Sequence, residues 1–279
     1  MKKVKKLLAL ALALVLMLSL TGCTGFGVGM AKAAKKMSAC KSMRMDLDIQ
    51  SEMKVGLMGD TTDLDVRITG TADITRNPMV MKLVLDTTMM DEPVQILCYC
   101  ETAADGGTVY FSLDEGNTWL RTSVELDGLN PEDASKPSIT ELAKLASDFK
   151  KTGVQTIKGA DATVYAGTLR GEDLTHLAEN ADVDEHVQFA GDIPVTIALG
   201  KKSGMISMID MDMTEVARGI VTALMEEDDG ASSDFFKLDV QVEKCTVNCI
   251  LYDYDAVDQI VIPPEARSAA DLDRLTDLF

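Results

Sequence analysis

The sequence is poor in the residues from which most catalysts are built. Its 279 residues include two histidines, one tryptophan and only 5% aromatic side chains. His186 stands beside the acidic run Asp182-Val183-Asp184-Glu185, and His176 lies in a short amphipathic segment. Neither arrangement builds a hydrolase triad or a zinc set, and G-x-S-x-G and H-E-x-x-H are both absent. The clusters Glu226–Asp229 and Asp182–Glu185 lack EF-hand spacing and read as solvated loops. The expectation is a protein that is not an enzyme and uses no cofactor and no metal. Positive charge is also scarce, with 27 Lys and Arg against 45 Asp and Glu. A phosphate backbone needs Lys and Arg to displace its counterions, so nucleic acid is excluded as a partner. An apolar run of about 20 residues, enough to span a bilayer, is missing as well.

What the chain does have begins at residue 1. Lys2, Lys3, Lys5 and Lys6 precede the apolar stretch Leu7–Leu20, the layout of an export signal. That stretch ends in Leu20-Thr21-Gly22-Cys23, a lipobox, which predicts cleavage before Cys23 and a diacylglycerol on its thiol. Two acyl chains give stable anchoring where one does not. The expected protein is therefore extracytoplasmic and tethered to the cell membrane through Cys23. Residues 1–22 hold four lysines and no acid, so their removal takes the formal charge from −18 to −22. So acidic a body should stand away from an anionic bilayer.

The expected domain layout is a signal over residues 1–22, a flexible tether over 23–40, one domain over 41–266 and a tail over 267–279. The stretch from Thr24 to Lys36 is rich in Gly, Ala and Lys and reads as the tether. From Met43 to Leu57, Met43, Met45, Leu47, Ile49, Met53, Val55 and Leu57 alternate with Arg44, Asp46, Asp48, Gln50, Glu52, Lys54 and Gly56. Only Ser51 breaks the apolar series. Alternation over this length predicts a long strand with one oily and one wet face. Five further closely spaced β segments follow up to Val124, leaving no room for crossovers, so the arrangement is an antiparallel meander.

Ser138-Ile139-Thr140-Glu141 then fits a capping box ahead of an amphipathic helix, and Glu172–Asn180 predicts a shorter one. Ile193–Leu199 and Met205–Met213 form a hairpin, and Thr214 is placed to cap a third helix. In the last long strand the apolar parity switches near Glu243-Lys244, which predicts a bulge. Ile260–Pro264 would close the sheet. About ten strands and three helices with local connections make one α+β domain.

Two features bear on function. The mature chain holds 15 methionines, and Met43, Met45, Met53, Met79, Met81, Met211 and Met213 share apolar faces if the parities hold. Methionine adapts to irregular apolar shapes. With Leu47, Leu83 and Ile197 these residues form the candidate lining for a lipid or other apolar ligand; ordinary core packing is the competing reading. Cys98 and Cys100, and Cys245 and Cys249, each place two thiols on one strand face. Thiols acting as small core hydrophobes, a disulfide and a soft-metal site all remain open.

The lipobox, the opening amphipathic strand and the segments VYFSLDEGNTW (Val109–Trp119) and LYDYDAVDQIVIPPEA (Leu251–Ala266) resemble the LolA/LppX-like envelope lipoproteins. The resemblance covers Lys41 to Ala266. It implies a curved antiparallel β half-barrel with helices on the concave face and, in some members, a lipid held between them. It carries no catalytic residues. An envelope interaction or sensor module with a filled core is the alternative, with a protein or cell-wall partner.

Overall fold

The computed structural model describes residues 25–57, 60–89, 92–103, 106–124, 148–172, 175, 191–226 and 238–272. The signal, the lipobox with Cys23, the helix expected from Ser138, most of the Glu172–Asn180 segment, both histidines, the acidic cluster Asp182–Glu185, all of Glu226–Asp229 but Glu226, and the tail beyond Leu272 lie outside these residues.

The long alternating segment is β1 (Ser42–Leu57), and it sits at the centre of a 12-stranded sheet. On one side the chain runs outward through β2 (Asp60–Thr75), β3 (Val80–Met89), β4 (Glu92–Ala103), β5 (Gly106–Ser112) and β6 (Leu120–Val124). It re-enters at the opposite edge with β7 (Lys150–Ile157) and returns through β8 (Ala160–Leu169), β9 (Ile193–Gly200) and β10 (Ile206–Asp212). The strand β11 (Leu238–Tyr252) then pairs with β1. All these neighbours are antiparallel. The two meanders thus meet at β1, and the sheet is open and curled.

Among the described residues the helices are α1 (Gly25–Ala39), α2 (Thr214–Glu226), between β10 and β11, and the single turn α3 (Pro264–Arg267). A two-residue strand, β12 (Ala270–Asp271), pairs parallel with β6.

Several expectations needed correction. Twelve strands stand where about ten were expected. The stretch read as a flexible tether is α1. Three glycines, Gly25, Gly27 and Gly29, each unfavourable in a helix by about 1 kcal/mol against Ala, mask its pattern. The pattern is nevertheless present: Phe26, Met30, Ala33 and Met37 fall at i, i+4, i+7 and i+11, and all four are buried. Packing of that stripe, rather than propensity, holds the helix. Ile260–Pro264 forms no strand; it leads irregularly into α3, with Ile262 buried and Val261 exposed.

The expected bulge is found. Glu52 pairs with Lys244 and Met53 with Val242, leaving Glu243 as the extra residue. Arg218 of α2 donates to the Val242 and Glu243 carbonyls there, so the helix is pinned to the bulge. Thr214 does not cap α2 with its side chain. Its hydroxyl donates to Asp212 and accepts the Cys245 N–H, tying the helix start to β11.

Candidate functional site

The register fixes which side chains share a face. Met45 lies between Ala72 and Leu251, Leu47 between Gly70 and Cys249, and Ile49 between Ile68 and Val247. Followed outward, the same face carries Met81 and Leu83 of β3, Cys98 and Cys100 of β4 and Phe111 of β5. On the other side it carries Ile209 and Met211 of β10, Val195 and Ile197 of β9, and Tyr165 and Gly167 of β8. We call this the inner face. It is apolar almost from edge to edge because every strand obeys the same alternation as β1.

Two parts of this face differ in cover. At the Met43 end of β1, the stripe of α1 packs with Val195, Ile197, Leu199, Ile209 and Met211 in one core that also takes in Val216 of α2. Phe26 stacks on Phe149 at 4.7 Å and tilts against Tyr165 at 4.6 Å. Gly167 makes this possible, since a Cβ there would lie 2.6 Å from the Phe149 ring. Toward the other end, Ile49, Met53, Val55, Val66, Ile68, Leu85, Val94 and Ile96 are only half-buried, and Leu64 is 43% exposed.

The residues expected to line a ligand site divide across these two parts. Met45, Ile197 and Met211 are buried core residues. Met43, Leu47, Met81 and Leu83 are half-buried and pack against that core. Met213 does so too, from the link between β10 and α2 rather than from a strand. Met79 lies in the turn before β3, off the strands. Met53 alone of the ten belongs to the half-buried part. The aliphatic residues around it, notably Ile49, Ile68, Leu85 and Ile96, share its face but carry no compositional signal of the kind methionine gives. Parity gave their face; which end of the face α1 covers required the fold.

The thiols follow the same logic. Cys98 and Cys100 on β4 and Cys245 and Cys249 on β11 all face inward, but three strands separate the pairs, so four sulfurs do not converge. These four and Cys40 are free. Burial pushes the Cys98 thiol up to about 12 and the Cys249 thiol up to about 11, so both stay protonated and unreactive at neutral pH. The described residues contain no group of three or more His, Cys, Asp or Glu placed to hold a metal.

The outer face is a polar ladder over β1. Arg44 meets Asp73 at 2.6 Å, and Arg67 holds both oxygens of Asp48 at 3.1 and 2.7 Å. Burial alone would raise the Asp46 carboxyl, but hydrogen bonds from Lys158 and Tyr252 hold it below its ordinary range. Farther out, Tyr99, Tyr110 and Trp119 form a separate buried cluster under Ile262 and Ala266. Arg267 locks this cover with two bonds to Glu101, which also accepts from Tyr110. Trp119 is therefore covered and offers no contact surface.

Residues 30–161 match the model of a family described as of unknown function, DUF6612. That span runs from α1 to the start of β8. No curated protein matches the chain. Among solved structures, the lipoprotein LppX of Mycobacterium tuberculosis is 13% identical, over 84% of this chain and 96% of that one, at a TM-score of 0.45. LprF from Mycobacterium bovis is 10% identical over 84% and 93%, at 0.43. A putative outer membrane lipoprotein-sorting protein domain from Vibrio parahaemolyticus is 8% identical over 82% and 93%, at 0.22. No helix of the described residues is long and apolar enough to cross a membrane.

Proposed function

We propose that this chain is a non-enzymatic lipoprotein, anchored outside the cytoplasmic membrane through diacylglycerol on Cys23, whose half-barrel binds a lipid or similar apolar ligand. The ligand lies on the half-buried part of the inner face, against Ile49, Met53, Ile68, Leu85 and Ile96. The observation that carries the reading is the unequal cover of one continuous apolar face. Each half-buried aliphatic residue there leaves oily area in water at about 25 cal/mol per Å², and an apolar guest removes that cost. Methionine and aliphatic side chains without charged partners suit acyl chains and discriminate weakly among them.

Expression with the native signal, followed by native mass spectrometry and lipid extraction, tests the reading. A copurifying apolar molecule is expected, and Ile68→Asp or Met53→Asp should abolish it. Thr69→Asp, on the outer face, should not. Protein that is consistently empty, and that binds no added lipid, overturns the reading. Unfolded, unreduced mature protein should titrate five thiols, because Cys23 is capped; six would refute the lipid anchor.

A further inference from the structure

The helix α1 carries a second stripe. Val28, Lys32 and Lys35 are exposed on the side away from its buried residues, with exposed Lys36 beside them. Gly25–Ala39 contains no acid. Cys23 stands three residues before Phe26, and each residue spans at most about 3.6 Å, so their Cα atoms lie within about 11 Å. Phe26 is itself fixed on Phe149 and Tyr165. Acyl chains on Cys23 therefore bring the bilayer surface to this end of α1, and there is no tether on which the domain could stand off. Phe149 is preceded by exposed Asp148 and followed two residues on by exposed Lys151, which pairs with Tyr165 of the inner face.

We propose that the exposed stripe of α1, together with Lys151, docks onto the headgroups of an anionic phospholipid bilayer. This rests on the acylation of Cys23 proposed above. The chain's net negative charge does not oppose it. The Debye length is about 10 Å at 0.1 M salt, so the bilayer senses the nearest face rather than the whole body. The acids of the outer ladder, Asp46, Asp48 and Asp73, lie on the opposite side of the sheet from α1. Docking in this way turns the inner face toward the membrane, which shortens the path of a lipid to it.

Lysine acylation footprinting of the full lipidated chain tests this, in phosphatidylcholine vesicles with and without about 30% phosphatidylglycerol. Lys32 and Lys35 should be labelled about threefold more slowly or less in the anionic vesicles, and about 0.5 M salt should remove the protection. Lys54 and Lys82, on the outer face, should not change. A Lys32→Gln/Lys35→Gln double variant should lose the lipid-dependent protection of Lys151 while remaining vesicle-bound. Equal labelling at Lys32, Lys35 and Lys54 in both vesicles overturns the docking. The intact mass separates the two proposals. Diacylglycerol on Cys23 without protection refutes the docking alone, whereas an unmodified Cys23 refutes the anchor and the docking together.

Discussion

The two parts of the inner face are cut from the same strands, yet one is core and the other is not. Met45 and Met53 lie eight residues apart on β1 with the same parity. The first is buried among residues of α1, β9 and β10, while the second is half-buried. Alternation decides which side of the sheet a residue occupies; a covering layer decides whether that side is sealed. Among the described residues the difference is therefore one of lids, and it can be broken by mutation at either end.

The largest effects should come from the sealed part. Ile197→Ala or Met211→Ala removes a side chain that is 1 to 2% exposed. Each should cost about 3 kcal/mol by urea unfolding, with the slope unchanged. Ile68→Ala, at the other end, should cost about 1 kcal/mol or less while reducing lipid copurification. Similar costs at the two ends would mean that the half-buried part is core after all. The seam between the parts can be probed at Gly70, which lies beside Leu47. A Cβ there would sit 2.3 Å from the Val84 carbonyl and 2.7 Å from Leu85. Neither neighbour is free to move far, so Gly70→Ala should cost about 2 kcal/mol and disturb the β2–β3 pairing.

Much of this fold was legible from spacing alone. The period-2 pattern of Met43–Leu57 gave β1 its two faces, and the parity switch near Glu243 gave the bulge. Those signals survive because a strand's side-chain direction is fixed locally. What was not legible depends on partners distant in sequence. The helix α1 is hidden in the sequence because three glycines and four alanines dilute its stripe, and its stability comes from Val195, Ile197 and Leu199 more than 150 residues away. The C-terminal Ile260–Pro264 is apolar like a buried strand, but Ile262 joins the cluster of Tyr99, Tyr110 and Trp119 rather than a ladder. Methionine content does not distinguish the two parts of the inner face, since Met45 and Met211 are buried and Met53 is half-buried.

The outer ladder should be independent of this division. Asp46 accepts from Tyr252 at 2.7 Å and pairs with Lys158 at 2.6 Å, at the edge of solvent. Asp46→Asn should cost about 1 kcal/mol and leave lipid copurification unchanged. A loss of ligand in this variant would mean that the two faces are coupled through β1.

The smallest effect should be confined to the loop at the far end of β5. There Asp114 accepts from the Ser112 hydroxyl at 2.7 Å and the Thr118 N–H at 2.8 Å. Hydrogen bonds from Thr118 and Ser112 bring its carboxyl from an ordinary 3.8 down to about 2. The folded state holds the ionised form, so this contribution is complete above pH 3.8. It fades as pH falls toward 2, where the folded carboxyl takes up its proton. Trp119 lies one residue beyond Thr118 and packs on Tyr99 at 5.7 Å, so its emission reports the loop. Between pH 4 and pH 2 that emission should change in the wild type and remain flat in Asp114→Asn. A fluorescence step of the same midpoint in both proteins would assign the change to general acid unfolding, and the loop would then have no acid-sensitive clasp of its own.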